Sequence, residues 1–160
     1  DGLLAPHRPL DDAPARALLN DATLPLFQGM SKVDQAHSLR LLAWLQAQGW
    51  TDPDLLHAAL LHDCGKAAAR VAVWQRTLKV LVKRLAPQQW GMLSRPARPG
   101  SWRYPFYILR THPFRGALAA RAAGCSETVA WLIEFHETDP DPTDLRHPLM
   151  RALQDADANS

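Results

Sequence analysis

Residues 55–66, Leu-Leu-His-Ala-Ala-Leu-Leu-His-Asp-Cys-Gly-Lys, constrain the fold of this chain more than any other stretch. An apolar helical run ends there on an imidazole, a carboxylate, a glycine and an ammonium. On an α-helix Leu55, Ala58, Ala59 and His62 share one face, and Leu56, Ala59, Leu60 and Asp63 share the adjacent one. Both polar side chains therefore point where apolar ones belong. A buried carboxylate is costly unless something pairs with it. An imidazole N–H to carboxylate pair would satisfy the dipeptide, and so would a cation held between His62 and Asp63.

The helix that delivers this pair has a clear start in Thr51-Asp52-Pro53-Asp54, with Asp52 or Thr51 as cap and Pro53 in the first turn. Gly65 is expected to end it in the left-handed conformation, leaving Lys66 on a short turn. Upstream, the proline-dotted residues 1–25 read as an arm with a short helix over Asp11 to Leu19. Ser31-Lys32-Val33-Asp34 resembles a capping box, opening a helix that runs to Gln48 and stops at Gly49. Along it Val33, His37, Leu41 and Trp44 share a face.

Downstream, residues 70–86 read as a helix with apolar Val71, Trp74, Leu78, Leu81 and Val82 opposed to basic Arg76, Lys79, Lys83 and Arg84, ended by Pro87. Residues 95–101 read as an exposed basic loop. Thr111-His112-Pro113 has the form of a cap and first-turn proline, with helix to Ala123 and a stop at Gly124. Gly116 would allow close approach of a neighbour. Ser126 and Glu127 open another helix, on which Val129, Leu132, Ile133 and His136 recur on one face. Residues 139–144 form an acidic turn. A last helix from about Pro148 aligns Leu149, Met150, Leu153 and Asp157, leaving Asp155 off that face.

A chain of 160 residues, 47% hydrophobic, can fill one core, so residues 1–160 are read as a single domain. Cys64 and Cys125 make neither a disulfide framework nor a Cys-x-x-Cys metal site, and a reducing cytoplasm is expected. No apolar run reaches the ~18 to 20 residues of a membrane span, and no signal peptide is visible, so no membrane partner is expected. The chain opens on Asp1 and not Met, which is compatible with a removed leader.

The net charge of +2 conceals a segregation: Cys64 to Ser126 carries twelve Lys or Arg and no Asp or Glu. Such a surface would concentrate phosphorylated ligands or nucleic acid, or meet an acidic partner. The alternatives are a solvated face and a plain connector.

Five polar residues at helix ends or on helix faces (His37, His62, Asp63, His136 and Asp157) thus point toward the core, and His112 can join them. Four imidazoles with two carboxylates suit one or two divalent transition metal ions (Fe, Mn, Co, Ni or Zn) better than magnesium. The order His37, His62-Asp63 and a late Asp157 resembles the HD-domain superfamily of metal-dependent phosphohydrolases, over about residues 26 to 158. Leu61-His62-Asp63-Cys64-Gly65-Lys66 resembles the HD-x-GK form of its HD-GYP and related branches. Thr111-His112-Pro113-Phe114-Arg115-Gly116-Ala117 is similar to their HP-x-x-GA segment, and Asp155-Ala156-Asp157 to the terminal Ala-Asp motif. Phe135-His136-Glu137 followed by Thr138-Asp139-Pro140 departs from the HD-GYP branch, lacking one histidine and the Gly-Tyr-Pro triplet. The basic segment 67–111 is an insertion that the resemblance does not explain.

The resemblance implies an all-α, HD-domain-like bundle of seven or eight helices that hydrolyses a phosphoester through a metal-bound hydroxide. It assigns His37, His62, Asp63 and Asp157 to a first metal. His112 and His136 would hold a second, about 3.5 to 4 Å away, with Asp63 bridging. Asp63 and Lys66 are the expected catalytic residues, and Lys66, Arg110 and Arg115 the expected substrate-binding cations. The expected partner is a phosphorylated small molecule, a nucleotide foremost, with nucleic acid left open. A non-catalytic signalling or nucleic-acid-binding module on the same fold is the alternative.

Overall fold

The computed structural model describes residues 10–69 and 71–160, with Val73 described by its backbone alone. The arm before Leu10 and the Arg70 start of the basic helix lie outside the described residues. Within them the chain is all-α, with nine α-helices and no strand. These are α1 (Ala13–Leu18), α2 (Leu24–Gln28), α3 (Lys32–Ala47), α4 (Pro53–Leu61), α5 (Val73–Leu85), α6 (Pro87–Leu93), α7 (Tyr104–Ala122), α8 (Glu127–Phe135) and α9 (His147–Asn159). A 3₁₀ segment, Cys64–Ala68, follows α4. The count exceeds the expected seven or eight because α2 and α6 are short helices with a proline in the first turn. A proline there lacks only an N–H the helix would not have used. Pro87 therefore starts a helix as well as ending one.

α4 lies at the centre of the fold. Leu55, Leu56, Ala58, Ala59, Leu60 and Leu61 are all buried, and α3, α8 and α9 pack around them. Each buried leucine contributes roughly 2 kcal/mol. The anchoring is set locally by the Asp52 side chain, which accepts from the Leu55 N–H at 2.9 Å. Ser31 caps α3 by accepting from Asp34 N–H, and Ser126 caps α8 by accepting from Val129 N–H. Gly49 and Gly124 close α3 and α7 with φ of 84° and 82°.

Three expectations need correction. Gly65 does not adopt positive φ; it lies inside the 3₁₀ segment, where its missing side chain serves packing. α7 begins at Tyr104, seven residues before the expected start, so Thr111 is no cap and Pro113 is interior. The upstream turns form because Phe106, Ile108 and Leu109 are buried, and the Thr111 hydroxyl bonds back to the Tyr107 carbonyl. Val33, expected on the apolar face of α3, is exposed at the site's rim.

The orientation of α5 is one the periodicity left open. Arg76 and Lys79 are turned toward the bundle and half-buried, as are Leu78 and Val82, while Trp74, Leu81 and Leu85 are 59, 49 and 77% exposed. Buried and half-buried carboxylates on the bundle attract the cations, and this decides which way the helix faces.

Candidate metal centre

Six side chains converge at one end of α4. His62 is the residue that ends α4, Asp63 follows it, and His136 ends α8. His112 comes from the middle of α7, His37 from α3 and Asp157 from the last turns of α9. The ligand-type atoms of His37, His62 and Asp157 lie within 4.8 Å of one another, and so do those of Asp63, His112 and His136. The rings of His37 and His136 each stand edge-on to His62 at 5.3 Å, and His112 stands likewise to His136.

Asp63 joins the two groups. Its Oδ1 is 3.3 Å from His112 Nε2, and its Oδ2 is 3.5 Å from His62 Nε2 and 2.5 Å from Lys66 Nζ. Burial pushes the Asp63 carboxyl up, but His62, Lys66 and His112 hold it well below the usual range, so it stays ionised. Asp157 Oδ1 lies 2.8 Å from His37 Nε2 and 3.9 Å from His62 Nε2. Burial opposes its ionisation too, and the His37 contact outweighs that.

The three most buried imidazoles share one hydrogen-bonding device. His62 Nδ1 donates to the Ala59 carbonyl at 3.1 Å, His112 Nδ1 to Leu109 at 3.0 Å and His136 Nδ1 to Ile133 at 2.7 Å. Ala59 and Ile133 lie in last turns, where carbonyls lack ladder donors. Leu109 lies mid-helix, but the residue four on is Pro113, which has no N–H to give. Each N–H thus fixes the tautomer that leaves Nε2 as a bare lone pair.

That lone pair is orphaned at His112, whose buried Nε2 has no hydrogen-bond partner among the described residues. It faces the Asp63 carboxylate, one acceptor against another. A proton on His112 would resolve the conflict, and Asp63 favours one, but burial outweighs that and pushes the pKa down, assisted by Lys66. Burial together with His62 and His112 takes His136 down to about 4. A cation between neutral imidazoles and an ionised carboxylate removes the conflict, so the donor set fits a divalent metal. Cys64 is not part of that set: burial and the neighbouring Asp63 push its thiol up to about 12.

The centre opens into a cavity of about 260 Å³ lined by His37, Arg40, Asp63, Lys66, Arg76, His136, Glu137 and Asp157. A second cavity, about 410 Å³, is lined by Ser31, Asp34, Ala67, Val71 and others, and Lys66 and Arg76 line both. Of the cations expected to bind substrate, only Lys66 reaches the centre. Arg110 lines a third cavity beside Lys83, Phe114 and Glu137. Arg115 donates to Thr111 Oγ1 at 3.1 Å and lies 5.5 Å over the Tyr107 ring.

Five side chains around the centre, Arg40, Arg76, Lys79, Lys83 and Glu137, were not singled out as site residues in the sequence. Glu137 lies 3.8 Å from His112 and pairs with Lys79 and Lys83. Burial opposes its charge, yet Lys79 and His112 hold it at about 2. Arg76 bonds both oxygens of the buried Asp34, at 2.6 and 2.9 Å. The available signal was the spacing of Arg76, Lys79 and Lys83, which puts three cations on one helical face. Their carboxylate partners lie 42 to 58 residues away in sequence, beyond any local pattern.

The chain matches no protein-family model, no curated protein and no solved structure.

Proposed function

We propose that this chain is an HD-type, metal-dependent phosphohydrolase that cleaves a phosphoester of a nucleotide or small phosphorylated metabolite. The observation that carries the reading is the set of three imidazoles with Nδ1 tied to helix carbonyls and bare Nε2 atoms turned toward two carboxylates. His37, His62, Asp63 and Asp157 would hold one divalent ion, and His112 and His136 a second, with Asp63 serving both. Bound there, such ions supply Lewis acidity toward a phosphoryl oxygen and a water acidified toward neutral pH.

The residues of the chain supply the rest. Lys66 and Arg76 stand at the junction of the two cavities, where both cations face a phosphate entering from solvent. Arg40 adds a third positive charge on the 260 Å³ side. Lys66 is held by Asp63, so the ammonium is placed before substrate arrives and can stabilise charge developing on the phosphoryl group. The wider cavity next to Asp34 has room for the organic part of the ester. Two free thiols accord with the cytoplasmic setting expected from the sequence.

Elemental analysis of the purified protein, followed by a screen of phosphate esters, tests the reading. One or two equivalents of transition metal and chelator-sensitive hydrolysis are expected. A protein that binds no metal after reconstitution, or binds it and hydrolyses no ester, refutes the assignment.

A further inference from the structure

α5 is an amphipathic helix mounted the wrong way round for a helix that serves only its own bundle. Trp74, Leu78, Leu81 and Leu85 recur at i, i+4, i+7 and i+11 and share one narrow face. On the opposite face Arg76, Lys79 and Lys83 reach Asp34 and Glu137. The side that faces inward thus carries cations, and no described side chain of α5 belongs to the main core cluster.

The exposed apolar side continues beyond α5. Trp74, Trp90 of α6 and Trp102 stand edge-on around the buried Phe106 at 6.0, 6.5 and 6.3 Å. Trp102 is 68% exposed, more than Trp74. From Trp74 the stripe runs about 16 Å along α5 to Leu85. Arg84 follows α5's outer edge, and the loop that joins α6 to Trp102 carries exposed Arg95 and Arg98. Large apolar side chains exposed together in this way mark an interaction site.

We propose that this face docks on an anionic lipid surface, with Trp74, Leu81, Leu85 and Trp102 entering the interface and Arg84, Arg95 and Arg98 meeting the headgroups. Charge selects the occupant: no acidic residue stands between Cys64 and Ser126 to repel a negative surface. A second copy of this chain would bring the same cations face to face. Nucleic acid would use the arginines and the indoles but has no use for exposed Leu81 and Leu85. Tryptophan rims with aliphatic neighbours and a basic border match a helix lying in the plane of a membrane. No helix of the described residues is long and apolar enough to cross one, and a surface-lying helix needs no such length.

Sedimentation of the full chain with vesicles tests this. Binding is expected to vesicles of phosphatidylglycerol and phosphatidylcholine in equal parts, with a blue shift of tryptophan emission, and not to phosphatidylcholine alone. The double variant Leu85→Ser/Trp102→Ser, changed only at exposed positions, should bind at least about tenfold more weakly with unchanged thermal unfolding. Arg95→Gln/Arg98→Gln should weaken binding about tenfold or more and blunt its salt dependence. No binding to the anionic vesicles overturns the proposal. So does binding that both variants retain, equal binding to neutral vesicles, or a dimer that buries Trp102 instead.

Discussion

A methyl group on Gly65 would stand 2.1 Å from the His112 carbonyl oxygen and 2.7 Å from the Gly116 N–H nitrogen. The 3₁₀ segment after α4 therefore lies directly against the backbone of α7. Gly116 returns the relationship, since a Cβ there would be 2.9 Å from Ile133 Cγ2 and 3.3 Å from Cys64 Sγ. Two glycines thus set the distance between Asp63 and His112.

Gly65→Ala should accordingly cost about 3 kcal/mol or more, because the clash is with backbone and cannot be relieved by a rotamer change. Gly91, in α6, has nothing within 4 Å of the position its Cβ would take. Gly91→Ala should be neutral or stabilising by roughly 0.5 to 1 kcal/mol. Urea denaturation of the two variants measures the contrast. Equal stabilities would mean that α7 and the 3₁₀ segment are not packed as described.

Pro113 offers a different kind of test. Replacing it with alanine restores an N–H that can bond the Leu109 carbonyl, in competition with His112 Nδ1. Pro113→Ala should leave stability unchanged or slightly higher and weaken metal binding by about 10- to 100-fold, the usual range for losing such a supporting contact. Competition with a chromogenic chelator reads the affinity. Wild-type affinity in Pro113→Ala would show that the carbonyl does not govern the imidazole.

Much of this centre was legible from helix periodicity. His62, Asp63, His136 and Asp157 each occupy a position that an apolar face would otherwise fill, and the structure brings them together. The His112 environment was not legible, because a Thr-His-Pro triplet looks like a helix start. Only the burial of Phe106, Ile108 and Leu109 reveals that the helix runs through the proline. The orientation of α5 was hidden for a related reason. Periodicity separates two faces without saying which one is inside, and here Asp34 and Glu137 pull the cationic face inward.

The Asp34–Arg76 pair yields a pH prediction. Burial raises the Asp34 carboxyl, but the Arg76 and Ser31 bonds bring it below its ordinary value. A depressed folded-state pKa stabilises the fold above the unfolded pKa of about 3.9 and loses that contribution as pH falls through the lower folded value. Arg76→Leu leaves Asp34 buried without its partner. Because Arg76 is partly exposed, the loss at pH 7 should be about 2 kcal/mol, less than for a fully buried pair. The difference from wild type should shrink as pH falls, because Asp34 protonates first in the variant, where burial is no longer offset by Arg76, and only at its lowered pKa in wild type. Thermal unfolding followed from pH 7 to 3 tests it, and a pH-independent difference would assign the loss to packing.

Lys66 and the metal-site ligands should separate binding from turnover. His62→Ala and Asp63→Ala are expected to lose most of the bound metal, since each removes a group that the others face. Lys66→Ala should keep its metal and lose phosphate-ester hydrolysis by roughly 100-fold or more. Metal content and initial rates on the same preparations distinguish the two outcomes. Hydrolysis at the wild-type rate in Lys66→Ala would make its role structural.

The number of metals follows from the two clusters. His37, His62 and Asp157 form one group, and Asp63, His112 and His136 form the other, with Asp63 Oδ2 also turned to His62. If one ion sat on the first group alone, His112 Nε2 would still face Asp63 Oδ1 with no hydrogen between them. An unsatisfied buried acceptor costs about 1 to 3 kcal/mol. Two ions leave no such conflict. Wild type should therefore titrate with two equivalents. His112→Ala and His136→Ala should each retain one, because the first group is intact in both. His62→Ala should affect both equivalents, since its ring touches each cluster. Titration of the demetallated variants with Mn or Zn gives the stoichiometry directly. Two full equivalents in both His112→Ala and His136→Ala would rule out the second site and return those histidines to the core.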